Sequence, residues 1–495
     1  MRAFAKSVLV ITAFAVCTRI IGFVFRIFLS RILGAEMLGV YQMAMSIFMI
    51  LLTIISSGLP LVISREVAKT ERGSSKVLHI TLAGLLIGVV ASLILCAVVL
   101  LCQSCLGFIF TDHRSIGILI ALLPAIIASS VYAVLRAVWW GEKRFFLLGL
   151  TELIEQVARV LLFVLFLGFA FFFADLAHLS AWAFSGACII SAAVVVIIFL
   201  KCNKFTRDTA PRQHYLKPLL KSAAPITGVR ILGSLAFPVI SILLPLRLVA
   251  AGWDNVSAIS QLGVIVGMTF PLLTIPSTVI SSLATALVPE LSTLAGKQQW
   301  VTVRHQIKTV IKFTIFINFI FIPIYIALGE PIGTFLYADA SSGIYLSRSA
   351  WAMLPLSLSQ ITNTTLNSLN KEGLAIRNYA IGSILLFIVI WFMPAVIGAD
   401  AVLLGLGMAM TVSSILNILA IRKYTNWHSP DRTLGTITAY TGIALPVLAI
   451  GYFIYRFCAA LPLWLGLSLA GTVACAAFLA LAWATNLIIL PQKRQ

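Results

Sequence analysis

A chain of 495 residues that is 61% hydrophobic and only 10% charged, with a mean hydropathy of +1.06, is excluded from the soluble globular proteins. Its net charge of +19 would point to nucleic acid in a soluble protein. Between membrane-crossing segments the same charge reports topology, so no nucleic-acid partner is expected.

With about 20 apolar residues per crossing, fourteen helical spans are predicted, centred near residues 19, 52, 88, 128, 160, 190, 234, 273, 318, 355, 386, 410, 446 and 475. The first covers residues 8–33 and carries Arg19 and Arg26 within its apolar length. Seven residues are nearly two helical turns, so both guanidiniums project from one face, roughly 10 Å apart along the axis. An arginine at membrane depth is costly and is kept where it lines a cavity or meets a partner. The run has a basic flank, Arg2 and Lys6, but no small-residue cleavage site follows, which predicts a retained span rather than a signal peptide. Span 3 ends at Cys102 and Cys105, and eight cysteines in all make no metal-ligand spacing. Spans 4 and 5 hold Arg136, Glu152, Glu155 and Arg159. The last three are spaced by three and four residues, forming one stripe in which Glu155 can pair with Arg159. Span 7 holds Arg230. Measured by helical rise from the cytoplasmic ends, Arg19, Arg159 and Arg230 lie roughly 15–20 Å deep, near the midplane.

Second-half spans are interrupted by Pro225, Pro238, Pro245, Pro271, Pro276, Pro289 and Pro355. Span 10 has an uncharged polar run from Ser359 to Asn370. Its hydroxyls and amides either join helices or, through Asn363 and Asn367, contact the sugar or peptide groups of a substrate. With the N-terminus inside, 25 of the 35 basic residues fall on cytoplasmic segments and five fall outside. That alternation supports cytoplasmic termini and attraction to anionic inner-leaflet lipid.

The chain also repeats itself. Thr53–Ser57 matches Thr278–Ser282, Leu123-Pro124 matches Leu354-Pro355, and Arg31–Ala35 echoes Arg247–Ala251. The predicted architecture is an all-α polytopic membrane protein of two parallel six-helix lobes, residues 1–200 and 218–421. A basic cytoplasmic linker, 201–217, joins them, and two extra helices lie within 422–495. Parallel repeats place a site near the midplane. Five buried-depth arginines against two glutamates leave a formal +3 there, which favours an anion, and guanidinium forks suit phosphate oxygens. The sequence has no phosphate-binding GxxxxGK[ST] loop, no HExxH and no serine elbow, so neither an enzyme nor a cofactor is predicted.

Several short motifs, in order along the chain, carry a resemblance. They are Thr18-Arg19-Ile-Ile-Gly22-Phe23, Arg31-Ile-Leu-Gly34-Ala35, Gly39-Val-Tyr41-Gln42, Ser57-Gly58-Leu59-Pro60, Ser64-Arg65-Glu66, Glu155-Gln156-Val-Ala-Arg159, Pro245-Leu-Arg247-Leu and Pro289-Glu290. Together they resemble the stage V sporulation protein B group of polysaccharide-biosynthesis proteins, within the multidrug/oligosaccharidyl-lipid/polysaccharide flippase superfamily and related to the lipid II flippases. The resemblance implies a two-lobe fold working by alternating access, with the two extra helices forming a groove for a lipid tail. It also implies a cavity for the diphosphate of an undecaprenyl-linked precursor, with Arg19 as a cavity arginine. Departures from the pattern are Phe25 where a second arginine stands in the lipid II flippases, no arginine near Leu51 or Leu52, and no carboxylate-amide set in span 11.

The expected function is therefore a bacterial cytoplasmic-membrane flippase for a lipid-linked glycan, a peptidoglycan precursor of vegetative or sporulating cells. Arg19, Arg26, Arg230 and Arg159 would hold substrate, within a charge network of Arg136, Glu152 and Glu155. Cell-wall synthesis proteins are the expected partners beyond substrate and lipid. The competing readings are a cation-coupled multidrug exporter of the same superfamily and a non-transporting scaffold for wall synthesis.

Overall fold

The computed structural model describes residues 2–169, 175–203, 215–427, 433–485 and 487, and among these every regular element is helical. The chain divides into two compact units, residues 1–246 with 254–263, and residues 247–253 with 264–495.

The first unit begins with α1 (Arg2–Ser56), followed by α2 (Gly58–Ala68), α3 (Ser75–Leu101), α4 (Gln103–Ile109) and α5 (Arg114–Gly141). It continues with α6 (Phe145–Leu167), α7 (Leu176–Cys202), α8 (Leu216–Ser234), the first part of α9 (Ala236–Ala250), and α10 (Asn255–Leu262). Spans 1 and 2 are separate helical segments of α1, as the sequence leads one to expect: the break between them falls at Gly34, whose non-helical φ of 71° and ψ of 177° only glycine adopts without strain. Just past the kink, Arg114 at the start of α5 donates to Glu36 at 2.5 Å and to Asp112 at 2.7 and 2.9 Å, tying the kinked helix to its neighbour. At Gly39 the α1 backbone lies against the Ile259 carbonyl of α10, and only a residue without Cβ fits. Gly39→Val should cost about 2 kcal/mol by overpacking. A lowered thermal midpoint in detergent checks this, and an unchanged midpoint refutes it. The core gathers around fully buried Trp139, with Ile63, Val67, Ile80, Val138 and Phe199 packed about it.

The second unit comprises the end of α9, a π-helical stretch (Gly263–Thr269), α11 (Phe270–Leu273), α12 (Ile275–Gly296), α13 (Trp300–Tyr337), α14 (Ala340–Ser349) and α15 (Met353–Ser368). It ends with α16 (Glu372–Phe392), α17 (Pro394–Ile397), α18 (Asp400–Tyr424), α19 (Thr433–Phe457) and α20 (Leu463–Ala484). Of the prolines expected to interrupt helices, Pro271 and Pro276 occupy the first turns of α11 and α12, whereas Pro225 and Pro245 lie within α8 and α9, which continue past them. The final two helices pack on α13 through Tyr440, which stacks on Phe319 and Phe478 with centroids 5.8 and 6.0 Å away.

Left-handed turns recur between the units. Lys143 of the first and Asn370 of the second, 227 residues apart, are non-glycine residues with φ of 58° and 57°, each two residues past the end of a helix, α5 and α15.

The protein is thus an all-α, multi-pass membrane protein. Eleven helices among the described residues are long and apolar enough to cross a bilayer, so the count of fourteen is not reproduced. The shortfall has identifiable sources. Spans 1 and 2 follow one another across the Gly34 kink with no loop between them and so count as one stretch, α6 carries Glu152, Glu155 and Arg159, and α15 has only 16 residues. Residues 204–214, most of the expected linker, lie outside the described residues, as do Arg432, Lys493 and Arg494.

Candidate functional site

The expected charge stripe forms on α6 and is met by α5 and α7. Arg159 donates to Glu155 one turn earlier at 2.7 Å, and its other amino group lies 3.5 Å from the Gln156 amide oxygen. Its guanidinium stacks over the Phe184 ring of α7 at 4.4 Å. On α5, Arg136 reaches Glu152 at 3.3 Å, donates to the Leu148 carbonyl and the Tyr132 hydroxyl at 3.0 Å each, and lies 4.8 Å from the Tyr132 ring. The two glutamates are thereby each paired with one arginine. The Nε–H of Arg136 and of Arg159 is buried with no partner among the described residues.

Arg19 and Arg26 are exposed side chains of α1, on the same face by spacing. Arg26 and Arg159 both act electrostatically on Tyr41, which brings α1 and α6 to one locus. Phe25 turns the other way and packs edge-on against Phe163 of α6 at 5.5 Å. The one-residue displacement of arginine from 25 to 26 thus puts an aromatic where α1 packs and a cation on a neighbouring face. Arg230 is an exposed residue of α8, and among the described residues no hydrogen bond or ion pair joins it to the cluster.

In the second unit, Asn363 belongs to a buried amide chain. Asn417 of α18 donates to the Asn363 side-chain oxygen at 2.8 Å and to Thr362 at 3.1 Å, and accepts from Asn378 of α16 at 2.9 Å. Asn363 thus joins α15 to α18, whereas Asn367 is exposed. Asn417→Leu leaves the buried amide of Asn378 and the half-buried amide of Asn363 short of a partner and should cost about 2 kcal/mol. The check is a lowered thermal midpoint with Asn367→Ala as an unshifted control; equal midpoints for the two would refute the assignment.

Sequence reasoning missed Tyr41, Tyr132, Gln156 and Phe184 as parts of the cluster. Tyr132 stands four residues before Arg136, a helical-neighbour signal open to reading. Phe184 had none, since only tertiary packing brings α7 over Arg159. No group of three or more metal-ligating side chains occurs among the described residues.

Residues 4–295 match the family model described as polysaccharide biosynthesis protein. Stage V sporulation protein B of Bacillus subtilis (strain 168) is 27% identical over 459 residues, covering 86% of each chain. Sporulation protein YkvU of the same organism is 24% identical over 327 residues, covering 64% of this chain and 71% of that one. Among solved structures, lipid II flippase MurJ in an inward closed conformation matches with a TM-score of 0.73 and 14% identity, over 97% of this chain and 100% of that one. An inward-facing multidrug resistance MATE family transporter of the MOP superfamily matches with a TM-score of 0.65 and 15% identity, over 83% and 94%. Both likenesses are of fold.

Proposed function

The chain belongs to the polysaccharide biosynthesis protein family, and from that premise we propose that it is a flippase carrying an undecaprenyl-diphosphate-linked glycan precursor outward across the bacterial cytoplasmic membrane. The cargo is a peptidoglycan precursor of the lipid II type, and the relationship to stage V sporulation protein B supports a role in sporulation. The termini are read as cytoplasmic, which the distribution of Lys and Arg supports.

One observation carries this reading. Glu152 and Glu155 are paired with Arg136 and Arg159, and the other ionisable side chains that the sequence sets at membrane depth, Arg19, Arg26 and Arg230, are all cations. A positive site in low dielectric selects an anion, and a diphosphate offers oxygens in the geometry that guanidiniums hold best. Arg19 and Arg26 grip the diphosphate, with Arg230 of α8 and Arg159 of α6 as the further cations of the site. Asn363 stays in its helix contact, which leaves Asn367 as the exposed amide of α15. No residue needs to form a covalent bond, which fits a transporter rather than an enzyme.

The same pairing weighs against a cation-coupled multidrug exporter, because a cationic drug needs a carboxylate that is not already neutralised. The readings separate in native mass spectrometry of the purified protein offered an undecaprenyl-diphosphate-linked precursor and ethidium together. Retention of the precursor is expected. Retention of ethidium alone would replace this proposal with the exporter.

A further inference from the structure

A second polar feature lies away from the charged cluster and shares no residue with it. Helices α2 and α8 touch closely at Gly58, where an added Cβ would run into the Ala223 carbonyl and Thr227. Beside that contact is a cavity of about 430 Å³, lined by Val62, Arg65, Glu66 and Lys69 of α2 and by Ser222 and Ile226 of α8. The volume is within the range of small-ligand sites.

The charges lining it do not cancel. Lys69 and Glu66 pair with each other at 2.8 Å. Arg65 is exposed, and neither its guanidinium nor the Ser222 hydroxyl has a hydrogen bond or ion pair among the described residues. One uncompensated fork of donors and one hydroxyl therefore face the same space, between the apolar walls of Val62 and Ile226. That set matches the tetrahedral oxygens of a phosphate attached to a carbon skeleton. The start of α8 adds exposed Leu216 and Leu220 alternating with Lys217 and Lys221, the composition of a helix segment at a lipid–water boundary.

We infer that this groove binds the phosphate of a lipid headgroup. A single surplus guanidinium balances one phosphodiester, the charge of an ordinary anionic membrane phospholipid, whereas a diphosphate calls for more cations. The groove is thus a phospholipid site on the inner-leaflet side of the first unit, and its occupancy bridges α2 to α8. It uses none of the arginines assigned to cargo, so it stands or fails separately from the flippase reading.

The test is native mass spectrometry of the full-length protein with phosphatidylglycerol and, in a parallel arm, undecaprenyl diphosphate. Arg65→Gln should hold phosphatidylglycerol about ten-fold more weakly, the loss of one charge-assisted hydrogen bond. Ser222→Ala should weaken it less, and Arg19→Ala should bind it as the native protein does. Arg65 is exposed, so an unchanged thermal midpoint is expected for Arg65→Gln, and Ser222→Ala carries the test if that variant is unstable. Weakening confined to the undecaprenyl diphosphate arm would keep the phosphate site and overturn its assignment to membrane phospholipid. Native-level binding of both lipids by both variants would overturn the site itself.

Discussion

Replacing Arg19 by alanine is expected to weaken capture of an undecaprenyl-diphosphate-linked precursor roughly a hundred-fold while the protein accumulates to its normal level. The magnitude follows from losing about two charge-assisted hydrogen bonds to a phosphate in a poorly solvated space. Normal accumulation follows from the position: Arg19 is an exposed residue of α1, and the packing beside it is made by buried Thr18 and by the aromatic contacts of Phe25 and Phe28 with Phe163. Arg19→Lys should recover part of the loss, since a lysine keeps the charge and gives up the fork. Titration by native mass spectrometry reads all three proteins, and native-level capture by Arg19→Ala would show that Arg19 does not touch the cargo.

The second large effect is on stability. Glu155→Ala should destabilise the first unit by about 3 kcal/mol, because it leaves the Arg159 guanidinium largely buried without its counter-charge. In a thermal shift measurement this corresponds to a midpoint roughly 5–10 °C lower. The paired replacement Glu155→Leu with Arg159→Leu should recover most of that loss, since an apolar pair has no charge to desolvate. A single variant as stable as the native protein would mean that the Arg159–Glu155 contact contributes little and that stacking on Phe184 holds the arginine by itself.

Much of this was legible in the residues. Glu152, Glu155 and Arg159 share a helix face by spacing alone, and the pairing of Glu155 with Arg159 is the one that helical geometry dictates. Thr53–Ser57 and Thr278–Ser282 stand 225 residues apart, and the positive-φ residues Gly73 and Gln298 are separated by the same number. The end of the first span was legible too, since the helix stops at Gly34; that this one residue makes the whole turn into the next span was not. The polar run of span 10 was ambiguous for a different reason: an amide buried in a neighbouring helix and an amide facing a cavity have the same sequence signature. Only the position of Asn417, 54 residues away on α18, separates Asn363 from Asn367. The cage over Arg159 depends on Phe184 of another helix, a pairing that no local period encodes.

The most direct test of the central claim is transport itself. The purified protein would be placed in liposomes carrying a fluorescent undecaprenyl-diphosphate-linked glycan in one leaflet, with arrival in the other read by an impermeant quencher. The account predicts movement by the native protein and none above the protein-free rate by Arg19→Ala. Equal movement by both proteins, or a native protein that moves cationic dyes and leaves the glycan lipid in place, would contradict it.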